Sequence, residues 1–357
     1  MARVIRKIRL KEKPEISIIT CTYNGERIIN DYLKSIFSQD YPIEKIELIL
    51  ADGGSRDKTL EIIKNYQKKY PRIIKLIHNE KQYAEGKGMG KDIASRKATG
   101  EFILFLDQDN ILIQKNWLSK MVEILVNDSG ITAVQSRIAV PKKASILDKY
   151  LNAIGIEDPF AIPYSLNAQL VFNPRNFQYK KDKEKNYGYY IYTINKKQFY
   201  YAGNNGFLIR KKDFFDNGGY TQDIDNFYRM AKKEGKRYKI AVPKNIKLYH
   251  KTSTKLSHFL KKRSFYIKHY LLKNYESREF YWFNLKKNSF KENLKFIKIV
   301  LFNLILIPAG IQGIKMALKD KKGFWLIHPF ILFLITLDYI YSFAYSKIIR
   351  KEKAVEI

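Results

Sequence analysis

Along the N-terminal third of the chain, short apolar runs alternate with stretches whose apolar positions recur every three to four residues. Ile16–Cys21 (ISIITC) reads as a buried strand, and residues 28–37 carry a helical period. The same pair recurs as Ile46–Ala51 (IELILA) followed by a helix over 58–69, and again as Ile73–His78 followed by a helical stretch over 90–99. A fourth apolar run, Phe102–Leu106 (FILFL), ends abruptly in Asp107 and Asp109. Strands alternating with helices predict a parallel sheet with right-handed crossovers, and ligands bind such sheets beyond the carboxyl ends of their strands.

The polar signatures fall at those ends: Thr22-Tyr23-Asn24 after the first strand, Asp52 after the second, Asp107 and Asp109 after the fourth. Residues i and i+2 of an extended segment share a face, so both carboxylates of Asp107-Gln108-Asp109 can serve one site. Two hard oxygen donors there suit Mg²⁺ or Mn²⁺, which would hold a diphosphate. The competing reading is a solvated Asp-rich turn. Asp52 is open to two readings as well, a carboxylate accepting a base N–H or an Asx-turn closing onto Gly53-Gly54. Tyr23 offers a stacking face or strand-end packing. The Gly86–Gly90 run lacks the phosphate-loop spacing and reads as a flexible lead-in to a helix.

SIITCTYNGE, ILADGGSRDKT, KGMGKDIASRKATGE and FLDQD, in this order, resemble the nucleotide-sugar half of family 2 glycosyltransferases with the GT-A fold. The resemblance runs from about Pro14 to His250. It implies a donor site bordered by Thr22, Tyr23 and Glu26, with Asp52 at the base, Lys91 near the nucleotide, and Asp107 and Asp109 as the DxD motif on ribose and metal. It implies that Asp223, in GGYTQDID, is the general base of an inverting transfer. Gln222 stands where a glutamate is customary, and Asp225 is the runner-up. An N-cap role for Thr221 or Asp223 competes, because a helical stretch over 227–234 follows. His250, ending IKLYH, is the third metal ligand the resemblance suggests beside the two carboxylates.

The expected architecture is therefore an α/β GT-A domain over 14–250, a mixed, mainly parallel sheet flanked by helices. Its nucleotide-sugar half spans 14–135 and its acceptor half 136–250. The insertion over 141–201 is rich in tyrosine and lysine, with a charged loop running into an aromatic strand (YKKDKEKNYGYYIY); Glu157-Asp158-Pro159 reads as a turn.

Charge changes the picture. A net +31 points to polyanions, and residues 255–273 interleave lysines with Leu, Phe, Tyr and Ile, as for a helix on an anionic membrane; no nucleic-acid motif accompanies the charge. The basic tail 1–13 is too broken by charge for a secretory signal, and basic interface helices are expected over 251–292. Residues 296–317 and 324–346 are apolar and separated by a short basic loop, predicting a membrane-anchoring hairpin within 293–357. Asn303, Pro308, Gln312, Lys315, His328 and Asp338 interrupt it. The Lys/Arg load on its outer flanks places the catalytic domain in the cytoplasm. One cysteine, Cys21, excludes an intramolecular disulfide. The function these features imply is an inverting, metal-dependent glycosyltransferase at the cytoplasmic membrane face. It would move sugar from a nucleotide-diphosphate sugar, by preference a UDP-sugar, to a lipid-linked or glycan acceptor. The alternatives are a processive polysaccharide synthase, whose QxxRW motif this chain lacks, and an inactive fold acting as a membrane-surface scaffold.

Overall fold

The computed structural model describes residues 13–155, 158–164, 177–182, 187–196, 205–251, 255–268, 278–281, 284 and 286–355. The N-terminal tail up to residue 12, Glu157 and His269 lie outside the described residues. The chain opens with β1 (Ile16–Thr22), α1 (Ile29–Phe37), β2 (Ile46–Asp52), α2 (Thr59–Lys69), β3 (Ile74–His78), α3 (Gly90–Arg96) and β4 (Phe102–Phe105). These are the elements the hydrophobic periodicity predicts. β5 (Asn110–Leu112), α4 (Trp117–Asn127), β6 (Ala133–Gln135), β7 (Arg137–Ile138) and α5 (Ile146–Ile154) follow. The next stretch adds β8 (Phe177–Asp182), β9 (Tyr187–Thr193), β10 (Phe207–Arg210), α6 (Lys211–Asp216), α7 (Asp223–Lys232), β11 (Lys239–Pro243) and β12 (Lys247–His250). Four helices close the chain: α8 (Leu256–Tyr266), α9 (Phe290–Ile305), α10 (Ile307–Asp320) and α11 (His328–Val355).

The main sheet has the order β3-β2-β1-β4-β10-β6-β11-β9-β8. β3, β2, β1 and β4 are mutually parallel, whereas β10 runs antiparallel to both its neighbours and β9 is antiparallel to β11 and β8. Four of its eight strand pairings are parallel, β3–β2, β2–β1, β1–β4 and β6–β11, and four are antiparallel, so the sheet is evenly mixed, which corrects the mainly parallel expectation. A second, three-stranded sheet, β5-β12-β7, stands at the strand ends.

Strand alternation assigns the two faces. Ile16, Ile18, Leu48 and Leu50 join one core with α1 and α4, while Ile19, Ile49 and Ala51 join the other with α3, α6 and α7. Each fully buried aliphatic contributes about 1.5–3 kcal/mol. Gly100 is required by contact: a Cβ there would lie 2.7 Å from the Ser17 backbone nitrogen.

The C-terminal layer departs from a simple hairpin. α9 and α10 are bent by 80° at Leu306, so the first apolar segment is broken rather than one continuous span. Leu306 has φ 66 with Pro308 in the next turn. One helical stretch, Gly323–Tyr345, is long and apolar enough to cross a membrane. Its inner face, with Trp325, Ile331 and Ile335, packs into one core with Tyr150 and Leu151 of α5 and Phe259 of α8. Three of the polar residues that interrupt the apolar runs, Asn303, Gln312 and His328, are interhelical ties. Asn303 donates to Thr336 at 3.0 Å, and the His328 ring meets Gln312 at 3.0 Å and Tyr150 at 2.8 Å. In α8, Arg263 is buried against Asp158 at 2.9 Å, so this basic helix packs on the protein through Phe259 and Arg263. Asp158 also caps a 3-10 turn at Pro159–Ala161, as the turn reading expects.

Candidate active site

β1 ends in Thr22, β2 ends in Asp52, and β4 leads within two residues to Asp107. Parallel pairing puts these ends on one edge, Thr22 opposite Asp52 and Ile19 opposite Phe105. Asp52 is buried there. Its Oδ1 accepts from Thr22 Oγ1 at 3.0 Å and Ser55 Oγ at 2.5 Å, and its Oδ2 from the backbone N–H groups of Gly54 and Ser55, each at 2.9 Å. A carboxylate has about four lone-pair sites, so this one is filled by its own loop. The Asx-turn is formed, and a base N–H would reach Asp52 only by displacing one of these donors. Tyr23 is 48% exposed at the lip, its carbonyl accepting from Gln108 Nε2 at 3.1 Å. Glu26 sits on the exposed rim and accepts from the backbone N–H of Lys58 at 3.2 Å, tying this loop to the start of α2.

Lys91 lies in the first turn of α3, 2% exposed, with Nζ 3.0 Å from Asp107 Oδ1. Burial alone would strip its proton, but the carboxylates of Asp107, Asp223 and Glu85 outweigh burial and hold the ammonium firmly charged. This is no solvated surface lysine. Asp107 sits above the usual carboxylate range. Burial raises it, Lys91 opposes, and the charges of Asp109 and Asp223 push it up again.

His250 reaches Asp109 because β12 pairs antiparallel with β5, setting His250 opposite Asn110. The imidazole Nε2 lies 3.1 Å from Asp109 Oδ2. Burial disfavours the charge on Asp109, yet the His250 contact more than offsets it and keeps the carboxyl below its ordinary value. Asn110, fully buried, orients the acidic pair. Its Oδ1 accepts from the Asp107 N–H at 3.1 Å, and its Nδ2 donates to Asp109 Oδ1 at 3.1 Å and Asn205 Oδ1 at 2.9 Å. Gly206 brings Asn205 into place with φ +78, where a Cβ would collide with Ser136 Oγ.

Asp223 is the first helical residue of α7; Gln222 is the N-cap position and makes no side-chain cap. The Asp223 carboxylate accepts from Tyr220 Oη and meets the carboxyl of Glu85. Two carboxyl groups in hydrogen-bond contact must share a proton. Burial first, and the Asp223 charge second, push Glu85 up to about 8. Tyr266 Oη donates to Glu85 Oε2 at 3.2 Å; Arg278 Nη2 stands 3.4 Å from Tyr266 Oη and 3.3 Å from Gln222 Oε1. Asp225 is spent structurally, accepting the backbone N–H groups of Glu279 and Phe280 at 3.3 and 3.0 Å.

The structure thus brings Lys91, Asp107, Asp109, His250 and Asp223 together, with Thr22, Tyr23 and Asp52 on the adjoining edge and Glu26 on the rim. Sequence reasoning misses Glu85, Asn110, Tyr266 and Arg278. Asn110 adjoins Asp109 and had a signal; the other three lie in segments whose proximity only folding creates. Among the described residues, no ready-made cluster of three or more His, Cys, Asp or Glu side chains surrounds a metal position. Asp109 and His250 supply one carboxylate and one imidazole, and Asp107 is engaged by Lys91. That donor set fits Mg²⁺ or Mn²⁺ where diphosphate oxygens complete the coordination.

Comparison with known proteins places the chain in a family. Over 98 residues the chain is 33% identical to the poly(ribitol-phosphate) beta-N-acetylglucosaminyltransferase TarS of Staphylococcus aureus, covering 28% of this chain and 17% of that protein. It therefore spans under a fifth of that relative's length. It is 42% identical over 93 residues to a dolichyl N-acetyl-alpha-D-glucosaminyl phosphate 3-beta-D-2,3-diacetamido-2,3-dideoxy-beta-D-glucuronosyltransferase of Methanococcus voltae, covering 25% of this chain and 27% of the relative. An uncharacterized glycosyltransferase of Methanocaldococcus jannaschii matches at 25% over 318 residues, 87% of this chain and 96% of its own. Among solved structures, the mannosyltransferase PcManGT of Pyrobaculum calidifontis, in complex with GDP-Man and Mn²⁺, aligns with TM-score 0.51 and 15% identity. That alignment covers 93% of this chain and 88% of that one, a likeness of fold. The model for "Glycosyl transferase family 2" matches residues 17–202, and the chain belongs to that family.

Proposed function

We propose that this chain is an inverting glycosyltransferase that takes sugar from a nucleotide-diphosphate sugar, a UDP-sugar, and delivers it to a hydroxyl of a lipid-linked glycan acceptor at the cytoplasmic membrane face. The observation that carries the reading is the convergence of Lys91, Asp107, Asp109–His250 and Glu85–Asp223 on the carboxyl edge of the parallel strands. A lipid-linked acceptor is supported by the name of the Methanococcus voltae relative and by the net +31 charge.

The nucleotide lies along Thr22, Tyr23 and the Asp52 turn, with the Tyr23 ring free to stack on the base. Lys91, held charged, balances the diphosphate that leaves. Asp109 and His250 would hold Mg²⁺ or Mn²⁺, which would supply Lewis-acid stabilisation to the leaving diphosphate. Binding it there requires a neutral imidazole with Nε2 free to coordinate. Asp223 removes the acceptor hydroxyl proton as the oxygen attacks the anomeric carbon, opposite the leaving group. Glu85, held protonated against Asp223, covers the base until that Glu85 proton is lost. Tyr220 orients the carboxylate.

Membrane extracts carrying the chain, supplied with single nucleotide sugars with and without EDTA, test the reading by mass spectrometry of the lipid products. The expected outcome is EDTA-sensitive incorporation of one sugar, abolished by D223N. Full activity of D223N would replace a hydroxyl acceptor by a phosphate monoester, which needs no base. Incorporation from no donor would overturn the reading.

A further inference from the structure

We infer that α9, α10 and α11 form an in-plane membrane face, so that the protein lies on an anionic bilayer and does not cross it. This deepens the localisation in the proposed function and stands on separate observations. In α9, Phe290, Leu294, Ile297, Leu301 and Ile305 are exposed, and in α10, Ile307, Ile311, Ile314 and Leu318. Spacings of three and four put each set on one stripe. The opposite side of each helix is the buried one, with Ile299 and Asn303 in α9 and Ala309, Gly313 and Met316 in α10. The stripes are therefore not core left uncovered by chance; they face away from the domain.

Charge identifies the occupant. A lysine follows directly after five of the stripe residues: Lys291, Lys295, Lys298, Lys315 and Lys319, all exposed. One residue along a helix is about 100° of rotation, so these ammonium groups flank the same side of both stripes. An apolar stripe edged by lysines places its side chains in the acyl boundary and its charges among anionic headgroups. The acidic residues stay off it. Glu292 is occupied in the Ser289 capping box, and Asp320 accepts from Trp325 Nε1 at 3.0 Å.

Length and packing exclude the spanning alternative. α9 has 16 residues and α10 has 14, about 24 and 21 Å at 1.5 Å per residue, short of the roughly 30 Å hydrocarbon core. The 80° bend prevents them from adding. α11 is longer, but it is docked along its first half. Ile331 and Ile335 lie in the core with α5, Tyr339 meets Phe160 edge to face at 4.9 Å, and its hydroxyl donates to Asp158 at 2.5 Å. Spanning would tear α11 from the catalytic domain.

Flotation of the purified full chain with vesicles of phosphatidylcholine alone, or with roughly one third phosphatidylglycerol, is the test. No sugar donor is present, so failure here is separable from failure of the catalytic reading. The expected result is binding to the anionic vesicles, weakened about a hundredfold by K291Q/K295Q/K298Q and at least about tenfold by I297S/L301S, with both variants keeping the parent melting temperature because the altered side chains are exposed. Carbonate washing at high pH should release the chain from cell membranes. Carbonate resistance would overturn the in-plane mode. A chain that floats with neither vesicle but sediments as a dimer would assign the apolar face to a second copy and overturn the proposal.

Discussion

Two carboxyl groups of one site, Asp109 and Glu85, each have one close partner and are treated in opposite ways. Asp109, against His250, is held below its usual range, whereas Glu85, against Asp223, is pushed up to about 8. Both are half-buried, so burial does not separate them; the partner does. An imidazole in contact stabilises the carboxylate charge, and a second carboxyl forbids it. Under the proposed function, Asp109 would stay ionised beside a cation and a diphosphate, while Glu85 would hold and release a proton. Carboxylates with environments pushed apart are the usual mark of divided acid–base labour.

The comparison breaks most sharply at the base. D223N should lower kcat by about 10²–10⁴-fold with little change in donor KM, measured in the product assay. On the metal side, H250A should raise the Mn²⁺ concentration for half-maximal activity by about 10–100-fold, an effect that excess Mn²⁺ partly restores; no change would remove His250 from the ion. W325A separates site from scaffold. It should cost about 3–5 kcal/mol of stability in denaturant unfolding, since Trp325 is fully buried between α5, α10 and α11.

The subtlest test concerns Glu85. Its folded pKa is raised above its ordinary value of 4.5, so the folded state keeps a proton that the unfolded chain loses first. Stability from this group is fully present below pH 4.5 and declines as pH rises toward about 8. E85Q should flatten the fall of melting temperature across that window. It should also remove the rise of kcat with pH across that window, because a glutamine has no proton to lose. An unchanged pH profile in E85Q would dissolve the contrast between the two pairs.

The donor edge was legible from sequence because its parts lie at strand ends, and strand ends are visible as breaks in apolar runs. Thr22, Asp52, Asp107 and Asp109 stand where that logic puts them. The competing roles of Asp52 and Asp223 were not separable by spacing. Hydrogen bonds decided them, filling the Asp52 carboxylate from its own loop and leaving the Asp223 cap unmade. Glu85 carried no signal, lying in a polar loop before a glycine run. The apolar C-terminus was legible as apolar, but a bend at Leu306 and packing on α5 turn a predicted hairpin into a docked layer.

From its residue pattern alone, this chain determined a βα repeat, an acidic carboxyl edge, a basic surface and an apolar tail, because periodicity and charge are local properties. Folding decided which carboxyl group would share a proton, which would face an imidazole, and which face of the tail would stay open. Those outcomes depend on pairs such as Glu85–Asp223 and Asp109–His250, far apart along the chain and joined only by strand pairing and helix packing.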